Sequence, residues 1–550
     1  MRELRLLPAA VLLWLVVMSL ILTESWPIPV GLVLVGVLLA MVLKEWGQAL
    51  LVGALTAVGG LMAWLRLSTA KAFTLSQPVH GTVTSTKKLD SGAQLINVQV
   101  PGYPVDLPVF LHSEQEVQPN TLISVAGKIE ADTRVGIGEF IMSAQSVEEI
   151  APPRGYAAWV NNVRDNFQTS VVDTVGESSQ GLIPGMVLGD KRLQDVGETQ
   201  LYIDTGLSHL SAVSGSNVAI LVSSVVVVLY FFTFGPRVRV IVALLVLGVY
   251  LLLVGGEPSV LRAAATGMVS LLAVLNSSRI EPIHGLSLAM IFLLLWDSDL
   301  AIHFGFILSV TATAGIILFF PLLYKACAKF PGPDILIRAI AVAIAADLVT
   351  LPIIALMSGK VSMVAVLANV LVDAAVAPVT LIGLIAVVLS LLPGSLEFFA
   401  LKLIEPFTWW IFQVATRCQQ LPRSTLEVPA GWLGIAWVLC AALWIIVALH
   451  YGLAKIVAVA YLVLCTLGLW GNRAPPQVDP SQLQYVVIDH ESEISQVPAG
   501  TELIIVTDPA GRAAQRPIIT PDGVPVLYPQ RDGEVTLHVD GSQHASDGRF

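Results

Sequence analysis

The sequence predicts a polytopic α-helical membrane protein of about a dozen membrane segments, with an extracytoplasmic small β-barrel (OB-like) domain and a short C-terminal β-rich segment. Three observations lead there. Of 550 residues 55% are apolar and only 13% charged, with a mean hydropathy of +0.77, against about 25% charged in ordinary soluble domains. Charge-free windows long enough to cross about 30 Å of hydrocarbon recur along the chain. Between them, one stretch changes to alternating apolar and polar residues punctuated by Gly, Pro and Asn, the pattern of short strands.

The first three windows, 6–23, 25–43 and 46–65, predict N-terminal transmembrane helices over residues 1–70. Arg2 and Arg5 put the N-terminus in the cytoplasm by the positive-inside rule. The first apolar run is too long for a removed signal peptide and lacks its small-residue cleavage site. Three spans later the chain emerges on the far side, so residues 71–152 are expected outside the cytoplasm. Within them AQLINVQV, VDLPVFL, TLISVAGKIE and GEFIMSAQSVEEI read as strands of a five-stranded barrel. Over residues 72–150, Lys87, Lys88, Lys128 and Arg134 stand against nine carboxylates, net −5, a weak electrostatic footprint for a polyanion. Residues 153–180 follow with apolar side chains at helical spacing in RGYAAWVNNVRDNFQTSVVDTV. They predict an amphipathic interfacial helix that couples the barrel to the core.

The membrane core is expected over 181–472. Its windows run at 205–236, 240–256, 263–278, 300–324, 335–357 (interrupted only by Arg338 and Asp347), near Val361, and at 374–396, 428–454 and 456–472. The remaining stretch, 473–550, holds five Arg, no Lys and eleven acids, net −6, with strand-like runs LQYVVIDH, TELIIVTD and GEVTLHVD. Since the whole chain is −10, everything outside the two soluble pieces sums to +1, and the core is near neutral. Cys327, Cys418, Cys440 and Cys465 are widely spaced without a CxxC pair and read as packing residues. The nine histidines form no HxH or HExxH cluster, and no GxxxxGK[ST] occurs. Neither a metal, nor a cofactor, nor an ATP site is therefore expected.

From Thr205 to Pro236 there is no Asp, Glu, Lys or Arg, yet Ser208, His209, Ser211, Ser214, Ser216 and Asn217 crowd the first third. Polar groups at membrane depth are costly unless they face a packed interior or a wet cavity, so the cluster predicts a pathway. Ser211 and Gly215 also have the small-xxx-small spacing of close helix packing. Arg262 follows Pro258 at a helix start inside an apolar run, and is either a cation on that path or a snorkelling interfacial arginine. His209 reads as a phosphate donor, a protonation gate, or a satisfied buried histidine. Asp347 and Asp373 read as a proton relay or as ion-pair partners of Arg262, Arg338 or Lys360. Asn369 reads as a brace for a broken helix or an interhelical hydrogen bond.

These residues carry a resemblance to the ComEC family, the DNA-internalisation channels of natural transformation. The family's GLSHLLAVSGLHVG-like segment behind a short GD-containing stretch is similar to Gly189, Asp190 and then Gly206, Leu207, Ser208, His209, Leu210, Ala212, Val213, Ser214, Gly215 and Val218. GGEPSVLRAAATGM resembles the GxxPSVLRA segment through Gly256, Pro258, Ser259, Arg262 and Ala263. GFILSVTATAGI resembles GFQLSFxAxxGI through Gly305, Phe306, Ser309 and Gly315. VSMVAVLANVLVDAAVAP resembles LSxxxxLANLLxxP through Ser362, Asn369 and Pro378. Two positions depart: the family's histidine after the second glycine is Asn217, and its glutamine in GFQLS is Ile307. The C-terminal stretch also lacks the zinc ligands of the metallo-β-lactamase-like nuclease domain found in many members. The expectation is therefore a form without that domain, and not an enzyme.

The resemblance implies that a single DNA strand crosses the cytoplasmic membrane through the core. Ser208, His209, Ser211, Ser214, Gly215, Asn217, Arg262, Ser309 and Asn369 would lie on the path, and Asp190, Pro258, Arg338, Asp347 and Asp373 would serve structure or ion pairing. The lipid bilayer is the medium, and a membrane-tethered DNA receptor outside and a cytoplasmic helicase-like ATPase inside are the implied partners. Two other classes use the same residues. A secondary transporter of a small solute would need the interrupted helices and buried Asp residues. An intramembrane serine hydrolase would pair Ser214 with a histidine; His209 is five residues away, about 140° round a regular helix, which leaves His303.

Overall fold

A computed structural model describes residues 6–428, except 89–93, 112–116, 133, 276–280, 330 and 422, and shorter stretches between 436 and 545. Residues 1–461 form one compact unit and residues 462–550 a second.

Proline supplies several helix starts. Pro27, Pro236 and Pro282 stand in the first turn of α2 (Pro27–Val42), α9 (Pro236–Val254) and α11 (Pro282–Trp296), and Pro258 opens α10 (Pro258–Leu275). At that position the missing N–H would have had no partner and the fixed φ suits the helix. Among the described residues six helices are long and apolar enough to cross a membrane: α1 (Leu6–Thr23), α3 (Trp46–Ala72), α9, α12 (Phe304–Cys327), α13 (Asp334–Ser358) and α14 (Ala365–Leu389). Four shorter apolar helices join them: α2, α8 (Gly215–Phe231), most of α10, and α11. The chain is a multi-pass membrane protein. The dozen segments expected from charge-free windows thus come to six full-length and four shorter helices among the described residues. The windows at 428–454 and 456–472 lie almost wholly outside those residues.

Two windows are corrected by the structure. The run 205–236 is not one span, because residues 205–214 form turns and α8 begins only at Gly215. The window near Val361 is the short strand β6 (Lys360–Ser362), which pairs with β7 (Thr425–Glu427). The helix that follows runs unbroken from Ala365 through Asn369, Asp373 and Pro378 to Leu389, so it absorbs the window at 374–396. The Asn369 amide bonds its own helix at Ala365 O, 2.9 Å away, and one polar residue so satisfied does not interrupt a helix.

The barrel closes in the order β1 (Val79–Lys88), β2 (Gln94–Gln99), β3 (Asp106–Leu111), β5 (Phe140–Ala151), β4 (Leu122–Ala131). The β3–β5 pair is parallel and the other pairs are antiparallel. Alternation places Val83, Ile96, Val98, Leu107, Val109, Ile123, Val125 and Met142 wholly inside, continuous with a core cluster that includes α1, α3, α11 and α12. The barrel is bolted to the helices by polar contacts. Arg66 of α3 is bound to Asp297 and donates to Pro104 O at 2.9 Å, and Ile137 N donates to Asp299 Oδ1 at 3.4 Å.

Helix α4 (Tyr156–Thr174) bridges barrel and core. Asn161 Nδ2 donates to Pro119 O at 2.8 Å on the barrel side, while Val160, Val163, Phe167 and Val171 pack against the core cluster of α6 (Leu182–Leu188), α14 and α15 (Glu397–Gln419). The second unit carries a four-stranded mixed sheet, in which β8 (Tyr485–Ile488), β9 (Leu503–Val506) and β11 (Pro525–Leu527) run parallel and β10 (Ile518–Ile519) pairs antiparallel to β11.

Candidate functional site

The break before α8 organises the site. Helix α7 (Val196–Asp204) starts at Asp195, whose carboxylate accepts from Gly197 N at 3.2 Å, and it ends at Thr205. The chain then turns repeatedly: Leu210 N donates to Leu207 O at 2.8 Å and Ser211 Oγ to Ser208 O at 2.9 Å. Leu207, Leu210 and Val213 are buried and anchor the turns. Ser208 and His209 between them are solvent-accessible. The His209 ring hydrogen-bonds the Gly206 backbone while remaining open to solvent.

Asn217, in the first turn of α8, is a fully buried fastener. Its Nδ2 donates to Met186 O at 2.9 Å, and its Oδ1 accepts from Thr380 Oγ1 at 3.3 Å and Ser214 Oγ at 3.2 Å. Ser214 and Ser216 share a 2.6 Å hydroxyl contact at the same helix start. Where the resembling family has histidine, this chain uses an amide to join three helices.

Arg262 lies beside this turn and is only 8% exposed. Its Nε donates to Ser309 Oγ on α12 at 2.8 Å. Its Nη2 occupies the space next to Gly215, 2.4 Å from where a β-carbon there would stand. A side chain at that position would push the guanidinium aside. Among the described residues no carboxylate acts on Arg262. One turn earlier, Ser259 Oγ donates to Val213 O at 3.1 Å and ties α10, which Pro258 opens, to the break. The structure thus brings together Ser214, Gly215, Ser216, Asn217, Arg262 and Ser309.

The remaining residues singled out in the sequence stand apart from Arg262. Asn369 Nδ2 reaches Gly206 O at 3.5 Å, which places it behind the His209 turn. Asp190 is ion-paired with Arg192 at 2.6 Å, and Arg192 also binds Asp165 of α4 at 2.8 Å. Burial works against the Arg192 charge, but the two carboxylates outweigh it and hold its pKa above the ordinary value. Arg338 pairs with Asp334 one turn away and stacks on Tyr324, so neither Asp347 nor Asp373 is its partner. Asp347 is half-buried on α13 and Asp373 exposed on α14.

Sequence reasoning missed Arg164, whose guanidinium donates to Leu253 O at 2.9 and 2.6 Å and to Val254 O at 2.9 Å, closing the C-terminus of α9. Nothing in the spacing of α4 marks that contact, which joins residues about 90 apart. It also missed Glu198, whose carboxyl burial pushes up to about 7 and whose Oε1 accepts from the Tyr202 hydroxyl at 3.1 Å.

No serine–histidine pair forms here. The Ser214 hydroxyl is engaged by Ser216 and Asn217, and His303 Nδ1 accepts from Gly305 N at 3.1 Å as the cap of α12. Among the described residues no three His, Cys, Asp or Glu side chains converge as metal ligands.

The family model described as "Competence protein" matches residues 186–454, from α6 onward. The "ComE operon protein 3" of Bacillus subtilis (strain 168) is 27% identical over 176 residues, which is 32% of this chain and 23% of that relative's length. No solved structure matches the chain.

Proposed function

Since the chain is a ComEC-family protein with its competence domain at residues 186–454, we propose that it takes part in DNA uptake and that a single strand crosses the membrane through the helical core. The observation that carries this reading is the solvent-accessible pair Ser208 and His209 at a break between helices that the matched region contains. A strand's phosphates cannot enter hydrocarbon, so passage needs a wetted wall of hydroxyls, amides and helix ends with few cations. A dense basic wall would instead hold the polyanion. The core has this composition, +1 outside the two acidic pieces.

The barrel would stand outside the cytoplasm near the mouth and the N-terminus inside, as the positive-inside rule gives. Lys128 and Arg134 are paired with Glu130 at 2.7 Å and Asp132 at 2.7 Å, so two of the barrel's cations are already engaged. Its role in this reading is to hold the mouth open against α3 and the turn at Ser298–Ala301. Capture of DNA outside and pulling from inside would fall to a membrane-tethered receptor and a cytoplasmic helicase-like ATPase.

Site-specific photocrosslinking tests the route. A benzophenone amino acid at Ser208 should capture radiolabelled transforming DNA in cells, and the same probe at Leu245, 64% exposed on α9, should not. Equal capture at both positions, or none at Ser208 while DNA enters the cell, would remove the core from the route.

A further inference from the structure

We infer that Arg262 and the first turn of α8 form a phosphate-binding station, built to take one phosphate oxyanion at a time. The inference rests on the proposed DNA passage only in naming the strand as the phosphate's source; the oxyanion site itself rests on the following geometry.

A guanidinium withdrawn from water needs a partner, because an uncompensated buried charge is among the costliest arrangements in a protein. Arg262 is 8% exposed, and among the described residues its side chain bonds a neutral hydroxyl, Nε to Ser309 Oγ. Among the described residues no carboxylate answers its charge. Its Nη edge points at the start of α8, with Nη2 against Gly215. Helix starts present unpaired N–H groups and partial positive charge. That end is the start of α8, which the guanidinium meets at Gly215. A positive helix end and a buried cation repel one another, and an anion shared between them relieves that repulsion.

The donor inventory defines the ligand. The two Nη groups and the first N–H groups of α8 donate, while the Ser214 hydroxyl is turned to Asn217 Oδ1 and the Ser216 hydroxyl to Ser214. A neutral or cationic solute finds no complement in such a set. A tetrahedral oxyanion with several acceptor oxygens does, and helix starts and arginine forks are both suited to phosphate. Gly215 completes the fit, since alanine there would push the guanidinium away from the helix start. One cation at a helix start binds a phosphodiester weakly enough to release it, as a path requires and a storage site does not.

The full chain in dodecyl maltoside, a phosphate-free detergent, provides the test. Binding of a fluorescent twelve-nucleotide oligothymidylate is followed by anisotropy against salt. Its uncharged methylphosphonate counterpart, inorganic phosphate and phosphatidylglycerol micelles serve as comparison probes. Arg262→Gln should weaken oligonucleotide binding about 10-fold and lower the salt slope by about 0.7, the loss of one phosphate contact on a single strand. Gly215→Ala, which keeps the charge but fills its seat, should weaken it comparably and keeps the test decisive if Arg262→Gln does not fold. Ser270→Ala, on the exposed side of α10, should leave it unchanged. The methylphosphonate strand should bind all forms at the level of Arg262→Gln.

If the wild type binds inorganic phosphate or phosphatidylglycerol in an Arg262-dependent way but not the oligonucleotide, the oxyanion station stands and the DNA route falls. If Arg262→Gln and Gly215→Ala, both folded, bind every probe as the wild type does, the station is overturned.

Discussion

Thr380 of α14 donates to Asn217 Oδ1 at 3.3 Å while Asn217 Nδ2 donates to Met186 O at 2.9 Å, so one buried amide joins α6, α8 and α14. Asn217→Ala strands the Met186 carbonyl in a dry interior. A buried polar group left unpaired costs about 1–3 kcal/mol. Thermal unfolding in detergent should show a lower Tm for Asn217→Ala. Asn217→Asp should also be destabilised, because it loses the donor and buries a charge. A Tm equal to wild type for both would mean the amide fastens nothing.

Arg164 is a second fastener, set at a helix end. Cations near C-terminal carbonyls are favourable, and bonds from a charged donor contribute about 1.5–3 kcal/mol. Arg164→Ala should release α4 from α9, seen as faster proteolysis after residues of α4 in the folded protein. Arg164→Lys should restore only part of the protection, because lysine lacks the planar fork that spans the Leu253 and Val254 carbonyls together. Full protection by lysine would contradict the fork geometry.

Helices α12 and α13 approach closely at Gly315. A β-carbon there would stand 2.7 Å from Ala345 O and 2.4 Å from Val349 Cγ2. The carbonyl is backbone and cannot rotate away, so Gly315→Ala should part the helices and cost about 1–3 kcal/mol. Gly248→Ala, with nothing within 4 Å, should be neutral or slightly stabilising. Matched unfolding curves of the two variants give the comparison.

Glu198 sets a pH dependence. Its folded pKa of about 7 lies above the ordinary 4.5 because burial disfavours the carboxylate. The folded state therefore holds the proton more tightly than the unfolded chain. The associated stability is complete below about pH 4.5 and is lost as pH rises through about 7, by at most about 3 kcal/mol. Between pH 5 and 8 the Tm should fall, and Glu198→Gln, which keeps an acceptor for the Tyr202 hydroxyl, should flatten that fall. An unchanged slope in Glu198→Gln would assign the pH dependence to other groups.

Much of this was legible in the residues. Alternation in AQLINVQV and its neighbours marked the barrel strands, and the GLSHLSAVSGSN segment with its hydroxyls marked the site. The break at 205–214 was not legible as a break, because a run without Asp, Glu, Lys or Arg satisfies the composition of a span. What ends α7 is a local cap, Gly206 in the left-handed conformation (φ 71°) with Leu207 N bonded back to Tyr202 O at 2.8 Å, and the burial of Leu207, Leu210 and Val213 then holds the turns in place. Asn369 misled in the opposite direction, suggesting a broken helix where α14 runs on. Arg338 pairs with Asp334 at i−4, where helical neighbours meet, and not with the distant aspartates Asp347 and Asp373. The contacts of Arg164 and the approach of Arg262 to Gly215 join residues far apart in sequence, and no local spacing encodes them.

The most direct test is uptake of labelled transforming DNA in a null strain complemented with wild type or Arg262→Ala. DNA reaching the cytoplasm is scored apart from DNA bound outside, and membrane levels of each protein are checked. The account predicts that the null binds DNA but internalises none, that wild type restores entry, and that Arg262→Ala is present in the membrane yet blocked. Normal entry of DNA in the null strain would contradict it.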